Sequence, residues 1–346
     1  MNILGLKKNC FFVGRAATSI FLILKSENME NKKILYPANI CYATIYPALY
    51  AGCSPVFCDV SKEDGNVTFK EICAYIDQVS AIVIPHMYGN PVRDIEKIRT
   101  LCEEKGVLFI EDCASAMGAI LPEGICGSFG DYSIFSTGYS KTIDIGNGGF
   151  LLTDRSICKM QSIYEQLPVW NQQIEENESF FSKLYRLIRN NWNQNLDQYI
   201  WEGLKYNLKD VFLYQYPQID IKIQTAISGL EKTVDQRRRE KELYQALIHE
   251  TKDIKIYKFH DGAVPWRFNL FVSQDKKHKI IDILLKQKVP VSDWYPDVTP
   301  IFGNHRFYKN AKTMEKQIIN FPLLIEDVEI QRICDCINQF ANREKR

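Results

Sequence analysis

The segment around Lys141 combines residue types that could do chemistry together. Lys141 ends the stretch Phe135-Ser-Thr-Gly-Tyr-Ser-Lys, and the cluster Gly146-Asn-Gly-Gly begins five residues later. An apolar run over residues 107–110 precedes both and ends in Glu111-Asp112. A lysine for a Schiff base, a carboxylate for a pyridine nitrogen and donors for a phosphate are what pyridoxal phosphate (PLP) needs from a protein. The spacing therefore predicts a PLP site with Lys141 as its catalytic residue.

Each of these residues also has an ordinary structural interpretation. A lysine is nearly always a solvated charge, while Asp112 and Ser136 could simply cap turns. The turn Gly14-Arg15-Ala16-Ala17 precedes a predicted helix, whose first N–H groups could bind a phosphate. Burial of Lys141 between an apolar strand and a glycine turn would lower the pKa of its amine, which favours the catalytic interpretation.

The elements that must position these residues alternate between strands and helices in the first half of the chain. The predicted strands are continuous apolar runs, which are typical of a mostly parallel sheet covered by helices on both faces. We expect an α/β fold that binds its ligand at the carboxyl ends of the strands, where Asp112 and Ser136 fall. The predicted strands cover residues 34–36, 55–59, 81–85, 107–111, 132–135 and 149–153.

The second half has a different pattern. Residues 175–213 are predicted to be helical and residues 219–249 to form a single long helix. A strand over 266–272, a helix over 279–286, a short strand over 289–291 and a terminal helix over 328–340 follow. We expect a large PLP-binding α/β domain over residues 1–214, and a connecting helix with a smaller C-terminal α+β domain over 215–346.

Composition disfavours several classes of protein. The formal net charge of the 346 residues is +1, so no overall field favours nucleic acid. No apolar run is long enough to span a bilayer. The eleven cysteines and five histidines show no ligand spacing, and no metal is expected. An odd number of cysteines, with no signal-like start, favours a reducing cytoplasm.

Three other features have mainly structural interpretations. His86, after a predicted strand, is more often structural than functional. The run Arg237-Arg-Arg predicts a solvated helix face. The aromatic stretch from Phe180 to Trp201 predicts helix packing, with a peripheral membrane helix as the alternative.

Several motifs resemble the DegT/DnrJ/StrS family of sugar aminotransferases, which are PLP enzymes of aspartate aminotransferase fold (fold type I). The resemblance covers most of the chain and is densest over residues 14–154. It implies a mostly parallel, seven-stranded type of sheet between helices in the large domain. The matching segments are Ala51-Gly-Cys-Ser-Pro-Val-Phe-Cys-Asp59, His86-Met-Tyr-Gly-Asn-Pro91, Ile110-Glu-Asp-Cys-Ala-Ser115, Gly127-Ser-Phe-Gly-Asp131, Phe135-Ser136 with Lys141 and Gly146-Asn-Gly-Gly149, and Asn320-Phe-Pro322.

The resemblance implies a role for each matching residue. Lys141 would form the Schiff base and then carry the proton, and Asp112 would pair with the pyridine nitrogen. Ser136, with the backbone at Arg15 and Ala16, would hold the phosphate. The candidates for contacting the substrate are His86, Tyr88 and Asn147.

The chain departs from the family pattern at three of its cofactor contacts. Ser115 stands where the family usually has Gln or His against the cofactor hydroxyl. Cys41 stands where many members have an aromatic residue that stacks on the ring, and neighbouring Tyr42 is the alternative. Pro217-Gln-Ile replaces the usual Asn-Tyr-Arg, whose Asn reaches the phosphate of the partner subunit, and Arg15 could compensate.

The resemblance also implies an activity. Members are homodimers with a shared active site, and they move an amino group from glutamate or glutamine to a keto sugar, often nucleotide-linked, for surface polysaccharides such as lipopolysaccharide or other amino sugars. Two alternatives stay open. Related PLP enzymes dehydrate keto-deoxy sugars but carry His in place of Lys141. A non-catalytic PLP-binding regulator or scaffold would explain the departures, but not the intact Lys141 and Asp112.

Overall fold

The predicted apolar runs form strands, most of them five residues long. In the computed structural model, which describes residues 2–190 and 208–343, the strands are β1 (Asn2–Ile3), β2 (Leu6–Lys7), β3 (Asn9–Val13), β4 (Lys33–Pro37), β5 (Ser54–Cys58), β6 (Ala81–Pro85), β7 (Leu108–Asp112), β8 (Ile120–Leu121), β9 (Gly124–Ile125), β10 (Tyr132–Ser136), β11 (Gly149–Thr153), β12 (Ile254–Ile256), β13 (Phe268–Val272) and β14 (Ile318–Phe321). Seven of these form the central sheet in the order β3-β11-β10-β7-β6-β4-β5. Strand β11 runs antiparallel to its neighbours and the other six share one direction.

Helices cover both faces of this sheet. In chain order, the helices of the described residues are α1 (Ala16–Ser26), α2 (Ile45–Tyr50), α3 (Phe69–Tyr75), α4 (Ile95–Lys105), α5 (Cys158–Tyr164), α6 (Gln172–Asn190), α7 (Lys209–Phe212), α8 (Ile219–Ile227), α9 (Leu230–Leu247), α10 (Gln274–Lys286), α11 (Lys309–Gln317) and α12 (Asp327–Arg343). Successive strand residues point to opposite faces. Val83 therefore packs in the core that contains α1, and Ile82 packs in the core that contains α4. The predicted α/β fold class is confirmed.

A second, antiparallel sheet lies in the C-terminal part of the chain. Its order is β12-β13-β14. Helices α9, α10 and α12 pack on it through buried apolar residues that include Tyr244, Leu284 and Ile333. This sheet falls within the predicted smaller α+β domain, while the boundary between residues 214 and 215 stays a prediction.

Two sequence predictions for the second half are wrong. The single helix predicted over residues 219–249 is two helices, α8 and α9, because Ser228 and Gly229 interrupt it and glycine is a poor helix former. The strand predicted over residues 289–291 does not form. Pro290 has no N–H to donate, and only Ser292 pairs with the sheet, through Asn320.

The aromatic helical segment is described in part. Phe181 and Tyr185 on α6 are buried against Tyr42, which confirms helix packing there, whereas Phe180 is 57% exposed. Residues 191–207, with Trp192, Tyr199 and Trp201, lie outside the described residues. Among residues 2–190 and 208–343, no helix has the length and apolar character needed to cross a membrane.

Candidate active site

A cavity of about 270 Å³ lies where two neighbouring parallel strands end. Asp112 is the last residue of β7 and Ser136 is the last residue of β10. The two strands pair with Ile134 opposite Asp112, so both polar side chains emerge at the same edge of the sheet. Lys141 and the start of α1 line the same cavity. The structure therefore brings together the four features that the sequence singled out.

The amine of Lys141 is held inside this cavity. Its Nζ donates a hydrogen bond to Oγ of Ser115 at 3.1 Å and lies 5.9 Å from the ring centre of Trp266. Burial lowers the pKa of this amine, and the nearby charge of Arg237 adds to the effect, while Cys41 and Asp112 oppose it. A lysine in this position releases its proton more readily than a solvated one, which suits a nucleophile or a base.

Asp112 is a buried carboxylate, and the hydrogen bonds and charges around it offset little of the cost of its burial. It is 5% exposed, and its Oδ1 accepts the N–H of Ala114 at 2.9 Å. Burial raises the pKa of this carboxyl, and the Ala114 N–H and the Lys141 amine reverse only part of the change. A positively charged N–H donor that binds beside this buried carboxylate therefore stabilises its charged form.

Glu111, the neighbouring acid, has a different environment. Its fully buried carboxylate accepts the N–H groups of Gly127 at 2.6 Å and of Phe129 and Gly130 at 2.9 Å. Burial acts to raise the pKa of Glu111, but the His86 ring and these N–H groups outweigh it, so the pKa lies below its ordinary value. Glu111 therefore fixes the turn before β10 and does not face the cavity.

His86 belongs to the same buried network. The N–H of Val92 donates to its Nδ1 at 3.0 Å, so the ring proton resides on Nε2, which faces Oε1 of Glu111 at 3.0 Å. Both ring nitrogens are thus engaged within the chain. His86, Glu111 and Cys113 each place one potential metal-ligand atom within 4.8 Å of the others. The hydrogen bonds of the Glu111 carboxylate already explain why these three side chains lie together.

The opposite side of the cavity is suited to an anion. Helix α1 begins there with no acidic residue in its first turn, and Ala16 and Ala17 line the cavity. Helix N-termini bind phosphates through free N–H groups and the helix dipole. The turn into β11 passes so close to α1 that a Cβ on Gly149 would lie 2.8 Å from Cα of Ala16. The guanidinium of Arg15 pairs with Glu178 on α6 and donates to the carbonyl of Val211 at 2.9 Å.

The other residues that the sequence proposed are divided between lining and packing positions. Four of them line the cavity: Cys41, His86, Ser115 and Asn147. Tyr42 lies outside the lining, since its ring packs against that of Tyr185 with centroids 4.2 Å apart. Tyr88 is fully buried outside the lining, and its hydroxyl accepts the N–H of Tyr295.

Sequence reasoning missed several residues around the site. Glu178, Tyr214 and Tyr295 line the cavity but come from distant segments with no motif. The prediction of a solvated Arg237 is wrong: it is 3% exposed and donates to the carbonyl of Lys141. Helical spacing was the available signal, because the buried residues of α9 are Val234, Arg237, Glu240 and Tyr244, on one side of the helix.

The residues around the cavity fit PLP by their chemistry. An amine with a lowered pKa, a buried carboxylate and a helix N-terminus beside the Ser136 hydroxyl lie around one cavity. These match the aldehyde, the ring nitrogen and the phosphate of the cofactor.

A known protein family matches nearly the whole chain. The model of the DegT/DnrJ/EryC1/StrS aminotransferase family matches residues 2–338. The chain belongs to this family. As a member of the DegT/DnrJ/EryC1/StrS family it is an aminotransferase with PLP as its cofactor, so the predicted enzyme class and cofactor are confirmed.

Two relatives and one solved structure illustrate the similarity. GDP-perosamine synthase of Vibrio cholerae is 32% identical over 330 residues, which are 90% of this chain and 81% of that protein. UDP-N-acetyl-3-dehydro-alpha-D-glucosamine 3-aminotransferase of Acidithiobacillus ferrooxidans is 35% identical over 154 residues, 43% of this chain and 42% of that protein. The aminotransferase TlmJ of Streptoalloteichus hindustanus superposes with a TM-score of 0.77 at 16% identity, over 96% of this chain and 86% of that one.

Proposed function

We propose that this aminotransferase moves an amino group from glutamate or glutamine to a keto sugar linked to a nucleotide. The observation that carries the proposal is the convergence of the Lys141 amine, the Asp112 carboxylate and the start of α1 on one cavity. The names of the two relatives support the substrate class, because one refers to a GDP-linked and the other to a UDP-linked sugar.

Lys141 is the catalytic residue in this proposal. When bound, PLP supplies an electron-accepting ring that stabilises negative charge on the substrate carbon. Nζ of Lys141 would hold the cofactor through a Schiff base and would carry the proton of the substrate carbon. Ser115 holds this Nζ in place through their hydrogen bond at 3.1 Å. The lowered pKa of Lys141 supports a role in which the amine both accepts and releases a proton.

The remaining cofactor contacts follow from position. Asp112 would keep the pyridine nitrogen protonated, and that contact would relieve the carboxylate's cost of burial. Ser136 and the start of α1 at Arg15 and Ala16 line the cavity and would hold the phosphate, with Arg15 as a cation from the same chain. Cys41 also lines the cavity and would stand beside the ring in place of an aromatic residue. Tyr42 packs in the core, where it supports the loop that carries Cys41.

Substrate binding, assembly and pathway complete the proposal. Among the candidate substrate contacts, Asn147 and His86 line the cavity, whereas Tyr88 acts through the loop that it supports. We expect a cytoplasmic homodimer with a shared active site, built from the 1–214 and 215–346 domains. The product would be an amino sugar for a surface polysaccharide such as lipopolysaccharide.

A panel of nucleotide-linked keto sugars with glutamate or glutamine as donor tests this proposal. We expect mass spectrometry to detect one aminated sugar, with conversion of the donor to its keto acid. Lys141→Ala should lose both the product and the visible absorption band of bound cofactor. Lys97→Ala, at an exposed lysine of α4 paired with Asp94, should retain both. A dehydrated sugar without amination, or full activity of Lys141→Ala, would refute the proposal.

A further inference from the structure

Arg237 is a buried arginine that contacts the segment carrying Lys141. Its guanidinium donates to the carbonyl oxygen of Lys141 at 2.9 Å, to that of Trp266 at 2.6 Å and to that of Pro265 at 3.0 Å. The side chain reaches these three carbonyls from α9, and the residue is only 3% exposed.

The partners of this arginine are unusual for a buried charge. Arginines in protein interiors are generally paired with a carboxylate. Among the described residues, the hydrogen bonds of Arg237 go to backbone carbonyls, and its Nε has no partner. Burial lowers the pKa of Arg237 to about 10, with Glu240 opposing the change and Arg267 adding to it. Burying a positive charge against backbone carbonyls is costly, which indicates that Arg237 has a specific role besides stabilising the fold.

The three carbonyls show what the guanidinium holds together. Lys141 belongs to the loop between β10 and β11, whereas Pro265 and Trp266 precede β13 of the second sheet. The ring of Trp266 lies 5.9 Å from Nζ of Lys141, so the side chain of one held residue faces the amine of the other. A rigid fork of donors on three carbonyls restricts the backbone of Lys141 and the position of the Trp266 ring at the same time.

The proposal follows from this geometry and rests on the proposed role of Lys141. We propose that Arg237 is the positioning residue of Lys141: it fixes the backbone of that lysine and the Trp266 ring beside its amine, and places a positive charge near Nζ. Among the described residues, the groups that act electrostatically on Nζ are Cys41, Asp112 and Arg237. Arg237 is the one cation among these three, and it favours the unprotonated amine.

The two arginines that follow provide an internal comparison. Arg238 donates to the carbonyls of Gly262 and Ala263 and so holds the chain just before Pro265. Arg239 points outward, with 54% of its side chain exposed, and pairs with Asp327 on α12. Arg239 is thus an arginine on the same helix as Arg237, but it does not contact Lys141.

The test measures the amine of Lys141 directly. Full-length protein freed of cofactor is treated with a lysine-acylating reagent at a series of pH values, and peptide mass spectrometry gives the extent of labelling at Lys141. Wild type is compared with Arg237→Met, Arg237→Lys and the control Arg239→Met, and circular dichroism confirms that each is folded. The pH dependence of the visible band is then recorded after PLP is added back.

We expect Arg237→Met to shift the labelling midpoint of Lys141 upward, so that labelling at neutral pH slows by roughly three- to tenfold, since one pH unit corresponds to a factor of ten. Arg237→Lys keeps the charge but not the fork, and its midpoint should lie between those of wild type and Arg237→Met. Arg239→Met should match wild type. The visible band should follow the same order.

Two results would overturn the proposal: wild-type labelling in folded Arg237→Met, or an equal shift in Arg239→Met. Should Arg237→Met not fold, Arg237→Lys decides alone, because a wild-type midpoint overturns the proposal and a raised one supports it. The labelling needs no cofactor. It therefore remains informative if Lys141→Ala proves active, a result that would count against the proposed function by itself.

Discussion

The adjacent acids Glu111 and Asp112 should respond in opposite ways to the loss of their charge. Glu111 accepts N–H groups on both oxygens: Gly127 on Oε1, and Phe129 and Gly130 on Oε2. A glutamine at this position must turn its NH₂ group toward one of these two sets. Either orientation leaves at least one buried N–H facing a donor, and the loss of charge weakens the other bonds.

The magnitude follows from the number of donors affected. A buried donor left without its partner costs about 1–3 kcal/mol. With one or two such donors, Glu111→Gln should lower the free energy of unfolding by about 1–6 kcal/mol. Asp112→Asn removes a carboxyl whose pKa is raised by burial, so the cofactor-free protein should unfold within about 1 kcal/mol of wild type or be more stable.

Activity should show the reverse order. Folded Glu111→Gln retains Asp112 and Lys141 and should bind PLP with its visible band unchanged. Asp112→Asn should lose amino transfer by roughly 100-fold or more, because it removes the charge opposite the ring nitrogen. Urea unfolding followed by circular dichroism, together with turnover per folded molecule, measures both effects. A stable Glu111→Gln protein without activity would refute the assignment of these two roles.

Acid provides an independent check on Glu111. Its pKa in the folded protein is lowered relative to the unfolded chain. The stability that it contributes is therefore fully present above the unfolded pKa, about 4.3, and is lost as the pH falls through the folded pKa. Wild type should lose more stability below about pH 4 than Glu111→Gln does. Equal acid dependence of the two proteins would show that the Glu111 charge does not stabilise the fold.

Two further predictions concern a residue packed behind the cavity, Tyr42, and a residue that lines it, Glu178. Tyr42→Leu should lower the free energy of unfolding by about 1–3 kcal/mol, because aromatic packing on Phe181 and Tyr185 is lost. The spectrum of bound PLP should stay the same. A shifted spectrum would instead indicate that Tyr42 contacts the cofactor ring. Glu178→Gln should release Arg15 from its ion pair and tighten PLP binding several-fold, because charged donors bind phosphate more strongly. For the same reason, Arg15→Met should weaken PLP binding roughly tenfold. Fluorescence titration measures both affinities, and weaker binding by Glu178→Gln would contradict this role of Arg15.

Much of the fold was predictable because it depends on local pattern. Continuous apolar runs indicated buried parallel strands, and β4, β6, β7 and β10 formed within a residue or two of their predicted positions. The breaks that were missed, at Gly229 and around Pro290, arise from single residues that a periodic pattern does not register. Strand β14 and helix α11 were missed because the short runs that form them show no clear period before they pack together.

The sequence by itself determined the chemistry of this protein, since Lys141, Asp112, Ser136 and the turn before α1 lie at strand and helix ends whose place in an α/β sheet is a matter of topology. The tertiary structure alone decided the environment of each side chain. It separated Glu111 from Asp112, turned Tyr42 into the core, and buried Arg237 against the carbonyl of Lys141. The physical reason is that burial, charge and hydrogen bonding at a residue depend on segments far away in the chain, and these meet only in the folded protein.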